Sequence, residues 1–358
     1  MNKKVCFLLP KERDFPVGGY KVVYRYANML IEKGFDVSII YIYTPDYFYR
    51  GFLYKIFKHF MVRTWTKTPF KKPTWYKLSN EVQQKRVVEL NENNIESADY
   101  YISTAFFTSI SLDRLNNISS KQKYYFVQGY EAWGIVTPKD IARSYRFNMT
   151  KICIAPWLCD KVSESGASAI YIPNGFDLDE FYVTNPIEER KPATISILCA
   201  KEKVKNTKGV VKALNIVKKK YPELEVYGFG VNKRLKYLPD YINYIQKPSH
   251  EELVELYNKT AIYVGFPTEE GFGLTVGEAM LCGCTAIGSD NGGYQVMITN
   301  KENGILSPIG DFNKLAVEIC QLIQDNKTRI EYARKGNDKL KSFSWNDSFK
   351  KLLAVLSK

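Results

Sequence analysis

Two kinds of hydrophobic spacing alternate along this 358-residue chain. Short apolar runs at 5–9, 36–43, 100–103, 124–127, 152–155 and 169–172 have the length of buried strands. Between the first two, Val22, Val23, Tyr26, Ala27, Leu30 and Ile31 recur at helical spacing, and Gly34 offers a stop. That pattern predicts a helix over 20–33, with Gly18 and Gly19 as the turn before it. A Pro- and charge-rich stretch at 186–192 interrupts the series. A second series follows, with strands expected at 194–199, 224–229, 261–266 and 285–289. Its helices are expected at 209–219, 251–258, from a glycine-rich loop to about 280, and at 313–324, 328–341 and 345–356. Ser249 and Glu252 spell a capping box ahead of the second of these. Strands alternating with helices predict an α/β fold with parallel sheets. Two Rossmann-like units fit, with a boundary near 173–192.

Composition adds three constraints. The net charge is +13, an excess that favours anionic partners without choosing among them. The seven cysteines are scattered, with no Cys-x-x-Cys pair, and there are two histidines, so neither a disulfide framework nor a zinc site is expected. The first apolar run is too short for a signal peptide, and no run approaches the ~18 apolar residues of a membrane-spanning helix. These features point to a cytoplasmic chain with buried thiols.

Segment 46–77 breaks the strand–helix rhythm. It carries eight Lys or Arg against the single acid Asp46, interleaved with Phe, Tyr and Trp. On a helix over 48–62, Phe52, Leu53, Ile56, Phe57 and Phe60 gather on one side. A basic helix with an aromatic face suits an anionic membrane surface, here the inner face of the cell membrane. It equally suits a helix packed on its own domain with a solvated basic side. Basic and aromatic residues together also suit single-stranded nucleic acid. Against that alternative, the charge is local and no RNA-recognition signature is present.

The most informative stretch runs from 266 to 283 and holds Glu270-Gly271-Phe272-Gly273-Leu274, then Glu278. It reads as strand, loop and helix start. Gly271 and Gly273 allow close backbone approach, and the free amides of a helix beginning near Leu274 attract phosphate. Glu270 in the loop and Glu278 a turn into the helix reach different parts of one ligand.

This stretch resembles the Glu-x7-Glu signature of the retaining glycosyltransferases of family 4, the group 1 type enzymes of capsular and O-antigen polysaccharide synthesis. The resemblance continues through Gly283, residues 285–289, Gly292-Gly293 and residues 303–306. Upstream, residues 172–177 resemble the family's Pro-Asn-Gly-x-Asp segment, and Gly18-Gly19 its Gly-Gly loop. The resemblance implies the GT-B fold, two Rossmann-like domains facing a central cleft. The expected division is an N-terminal acceptor domain over 1–173, a C-terminal nucleotide-sugar domain over 174–342, and a last helix, 343–358, returning toward the first domain.

The same resemblance implies roles. Glu278 would hold the donor ribose, and Glu270 the transferred sugar. The backbone of Gly271, Phe272, Gly273, Leu274 and Thr275, with Gly18 and Gly19, would bind the rest of the donor. The family's Arg and Lys come from the loop after the first strand of the C-terminal domain. Here that loop lacks the Arg, Lys205 is the best match for the Lys, and Lys201 can replace the Arg. Lysine is a point charge without the bidentate fork. Gln128 and Glu131 stand where many members carry a histidine, in a pattern that resembles rhamnosyl- and related polysaccharide transferases. Together with Asn174 they are placed in the acceptor or sugar cleft. Val296 stands where the family often has Glu. The implied reaction is retaining transfer from a nucleotide sugar to a glycan or lipid-linked acceptor, with no metal and no cofactor. A phosphorylase or epimerase of similar architecture needs acids, histidines or a pyridoxal lysine that this chain does not supply. Asp177 and Asp179 spell Asp-x-Asp, but Asp179 is expected to cap a short helix. His250 is expected to be structural and His59 a surface residue.

Overall fold

The computed structural model describes residues 2–43, 51, 53, 56, 57, 62, 70 and 72–357. The chain divides into two compact units. The first runs to Ile172 and takes in the closing helix Trp345–Leu356 from Phe349 onward; the second spans Pro173–Ser348.

The first unit is built on a seven-stranded parallel sheet of order β3-β2-β1-β4-β5-β6-β7. Its strands are β1 (Lys4–Pro10), β2 (Asp36–Ile42), β3 (Gln83–Val87), β4 (Tyr100–Ser103), β5 (Lys123–Val127), β6 (Thr150–Cys153) and β7 (Ala169–Tyr171). In β1 every residue from Val5 to Leu9 is buried, as expected of a central parallel strand covered on both faces. Register is continuous, with Lys4 opposite Asp36 and Val5 opposite Tyr100.

The second unit repeats the logic with six parallel strands of order β10-β9-β8-β11-β12-β13. These are β8 (Thr194–Leu198), β9 (Glu225–Gly230), β10 (Ile242–Gln246), β11 (Ile262–Gly265), β12 (Thr285–Ser289) and β13 (Ile305–Ser307). Ile195, Ile197, Val226, Ile262, Val264 and Ile287 form the centre of its core, packed against Val210, Leu214, Leu315 and Ile319 from the flanking helices. In both sheets the chain reverses direction of strand addition once, between β1 and β4 and between β8 and β11. Open α/β sheets bind ligands at the carboxyl ends of such a pair.

Two local expectations are corrected. Gly18 and Gly19 are not a turn: they open the helix Gly18–Glu32, with Val17 as its N-cap. Gly19 packs close to Gln128: a Cβ there would lie 3.3 Å from its side-chain amide. Asp179 caps no helix. It lies in a turn over 178–180, where Glu180 and Phe181 donate back to the Asp177 carbonyl. The Ser249–Glu252 capping box forms as spelled, and His250 packs edge-on against Phe181. The helix expected over 48–62 lies largely outside the described residues, as does His59. The end of segment 46–77 packs on its own unit. Trp75 donates to the Arg13 carbonyl at 2.9 Å, and the rings of Trp75 and Tyr76 each sit 5.5 Å from Tyr24.

Candidate active site

In the second unit, the loops that follow β8 and β11 meet. After β8, Thr207 staples the loop shut, its hydroxyl both donating to the Ala200 carbonyl and accepting from the Ala200 amide, each at 3.0 Å. Asn206 adopts a left-handed backbone (φ 51°) and caps the helix Thr207–Lys220. The loop after β11 is tied to the first by Thr268, whose amide donates to the Val204 carbonyl at 2.8 Å. Lys205 and Glu270 therefore face each other, with Nζ 2.6 Å from Oε2. Both line a pocket with Tyr263, Thr275 and Tyr294.

The helix Leu274–Leu281 starts at the rim of this pocket. Its N-cap is Gly273, with φ 97° and no side chain to satisfy the first amides. No acidic residue lies in its first turn. The amide dipoles are thus left for an anionic ligand. Gly273 is constrained further, since a Cβ there would come 2.8 Å from the Tyr294 ring. Phe272 turns inward: it is 2% exposed and stacks near Phe176 and Phe343, leaving only its backbone to the site. Glu278 is almost fully buried within this helix, at 6% exposure. Glu269 is held up at about 7 by desolvation and the neighbouring Glu270 charge. Lys201 is exposed on the β8 loop.

Gly293 supports the β11 loop from below. A Cβ there would lie 2.4 Å from the Glu270 carbonyl oxygen, so only glycine permits this approach. Asn291 caps the short turn holding Gly293 and Tyr294, and its amide group also bonds Ser289, whose hydroxyl in turn donates to the Pro267 carbonyl. At the other end of the Leu274–Leu281 helix, buried Arg190 donates to the Cys282 carbonyl at 2.6 Å. A cation at a helix C-terminus complements the dipole.

In the first unit, Gly19, Gln128 and Glu131 gather beyond the carboxyl ends of β1, β4 and β5. Glu131 Oε2 accepts from the Phe106 amide at 3.0 Å, at the start of the helix Phe106–Asp113. Desolvation pushes its carboxyl up to about 7, with that amide opposing the shift. Gln128 Oε1 is buried without a hydrogen-bond partner among the described residues. Asn174, in the second unit, is 2% exposed and its Oδ1 is likewise unpaired among them.

The structure thus brings Lys205, Glu270 and Thr275 to one pocket in the second unit, with Gly273 as N-cap of the helix that carries Thr275, and Gly19, Gln128 and Glu131 to one sheet end in the first. Sequence reasoning missed Tyr263, Tyr294, Glu269 and Arg190. Tyr294 directly follows Gly292-Gly293, which is the one available signal. Nothing in the sequence separates Tyr263 or Arg190 from ordinary core residues.

Residues 184–339 match the protein family described as Glycosyl transferases group 1. That stretch fills most of the second unit. The chain is 35% identical over 161 residues to the UDP-N-acetylglucosamine–peptide N-acetylglucosaminyltransferase GtfA subunit of Streptococcus pneumoniae, covering 40% of this chain and 32% of that protein. It is 29% identical over 128 residues to the D-inositol 3-phosphate glycosyltransferase of Corynebacterium efficiens, covering 36% and 28%. The matched stretches thus span a third or less of these relatives' own lengths. Among solved structures, sucrose-phosphate synthase from Thermosynechococcus elongatus superposes with a TM-score of 0.77 at 14% identity, covering 99% of this chain and 98% of that one. Anabaena Alr3699/HepE, solved in complex with UDP, gives 0.75 at 13% identity, covering 99% of each. The fold is that of the GT-B glycosyltransferases.

Proposed function

We propose that this chain is a retaining, metal-independent glycosyltransferase that moves a sugar from a nucleoside-diphosphate donor to a glycan or lipid-linked acceptor in surface polysaccharide synthesis. The observation that carries the reading is the Lys205–Glu270 pair set at the mouth of an uncapped helix N-terminus. Relatives and structural neighbours whose names include UDP-N-acetylglucosamine, UDP or UDP-glucose support a nucleotide-sugar donor.

Cleaving the donor places negative charge on the departing diphosphate. Lys205, the first amides of Leu274–Leu281, and Lys201 from the adjoining loop would stabilise that charge where it develops. Glu270 accepts hydroxyl hydrogens of the transferred sugar. Glu278, one turn further on, holds the ribose. In the retaining reading, the acceptor hydroxyl attacks from the face the diphosphate leaves, and a diphosphate oxygen takes its proton. No side-chain base is then obligatory. Gln128 and Glu131 are assigned to the acceptor, with Trp133, 58% exposed on the same loop, offering a ring to a sugar face.

Among the described residues no helix is long and apolar enough to cross a membrane. Peripheral contact with the inner membrane face is supported by Leu53 and Phe57, 80% and 65% exposed within the basic segment. Neutralising Lys55, Lys58 and Arg63 is expected to weaken binding to anionic liposomes; unchanged binding refutes the contact.

The test of the reaction is transfer from an α-linked nucleotide sugar, followed by NMR of the product anomer with and without EDTA. The α product at an undiminished rate in EDTA is expected. A β product or loss of activity in EDTA contradicts the retaining or the metal-independent reading.

A further inference from the structure

Two tyrosines that the proposed chemistry leaves unused line the inner wall of the pocket. Tyr294 is fully buried, and three glycines make room for it. A Cβ on Gly265 would fall 2.2 Å from its hydroxyl, one on Gly288 2.1 Å from its ring, and one on Gly273 2.8 Å from the ring edge. Its side chain thus touches the end of β11, the end of β12 and the N-cap of the Leu274–Leu281 helix together. Tyr263, on β11, is also buried and borders the same space: a Cβ on Gly265 would lie 3.1 Å from its ring as well. Tyr263 donates to Thr275 Oγ1 at 3.0 Å. Thr275 is the second residue of the helix and lines the pocket with Lys205 and Glu270. A buried phenol deep in a core is more often a packing element. Here, however, the Tyr263 hydroxyl bonds a group that faces the pocket.

A threonine hydroxyl has one hydrogen to give and lone pairs to accept. With a lone pair of Thr275 occupied by Tyr263, its rotor is fixed and its hydrogen is free to point at a ligand. We propose that Tyr263, backed by the packed Tyr294 ring, is a positioning residue that orients the Thr275 hydroxyl as a hydrogen-bond donor to the phosphate–sugar end of the bound nucleotide sugar. The Tyr263 phenol acts through Thr275, the hydroxyl it bonds. The inference rests on the donor-site reading above.

The test is calorimetric binding of a panel of UDP-, GDP- and dTDP-linked sugars, carrying the tightest binder forward to variants. Thr275→Val and Tyr263→Phe should each weaken it about tenfold, the value of one well-formed hydrogen bond to a charged ligand. The double variant should bind no more weakly than the worse single one, because both remove the same bond. Thr275→Ser, which keeps the hydroxyl, should bind within about twofold of wild type. Binding of the free nucleoside, which lacks the phosphate–sugar end, should not change in Tyr263→Phe. Wild-type affinity in Tyr263→Phe, additive losses in the double variant, or an equal loss for the nucleoside overturns the positioning role while leaving the donor site standing. If wild type binds no sugar of the panel, the donor-site reading falls, and this inference with it.

Discussion

Lys205 Nζ lies 2.6 Å from Glu270 Oε2, joining the loops that leave two neighbouring strands, β8 and β11. The side chains keep 31% and 17% of their exposure, so the pair contributes little stability and can be reshaped by a ligand. A diphosphate drawn to Lys205 would free Glu270 for sugar hydroxyls. Lys205→Ala is expected to slow transfer about 10²-fold, the usual cost of losing one transition-state donor. Its melting temperature should stay within a few degrees of wild type. A steady-state assay beside a thermal melt reads both.

Gly273 and Gly310 give a matched pair of substitutions. Both have a left-handed backbone, with φ 97° and 83°, but only Gly273 abuts a side chain. Gly310→Ala should cost about 1–2 kcal/mol and leave donor binding intact. Gly273→Ala carries the same strain plus a clash with Tyr294, and should displace the helix start. Denaturant unfolding and donor titration of the two variants separate the backbone effect from the site effect.

Arg190 is buried, and neutral oxygens hold its guanidinium. It donates to the carbonyls of Asn185, Tyr257, Thr260 and Cys282 and to Asn258 Oδ1. Arg190→Met removes the donors and leaves those oxygens buried, for an expected loss of about 3–5 kcal/mol, as for other broken buried charge networks. Urea denaturation measures it.

Glu131 predicts a pH dependence. Its carboxyl is held at about 7 in the folded chain, above the ordinary 4.5, because burial disfavours its charge. The unfolded chain ionises first as pH rises, so this group draws stability down between about pH 4.5 and 7. Glu131→Gln can still accept from the Phe106 amide and cannot ionise. The variant should melt above wild type at pH 8, with the gap closing by pH 4.5. An equal gap at both pH values would contradict this assignment.

The central strands were legible because parallel strands buried on both faces, such as residues 5–9 and 285–289, read as unbroken apolar runs. The strands missing from the sequence reading are β3, β10 and β13, and all three lie at sheet edges. There the burial is partial: β3 reads Gln83-Gln84-Lys85-Arg86-Val87, with no apolar run to see. The helices at 106–113, 138–145 and 156–164 are only eight or nine residues long, too short to establish a period. In the site, the Glu-x7-Glu spacing and Lys205 were readable as local chemistry. Tyr263 and Tyr294 were not, because what distinguishes them is space left by Gly265, Gly273 and Gly288 across three elements. Gly18 and Gly19 read as a turn because glycine pairs usually mark one. Position 19 instead packs near the Gln128 side chain, which is distant in sequence.

The most direct test of the donor site is a thermal-shift screen with UDP-, GDP- and dTDP-linked sugars on wild type and on Glu278→Ala. A ligand that binds the folded state raises its melting temperature by mass action. The proposed function predicts that one nucleotide class stabilises wild type and fails to stabilise Glu278→Ala. If no nucleotide sugar shifts wild type, or if the variant shifts equally, the assignment of this pocket to the donor is wrong.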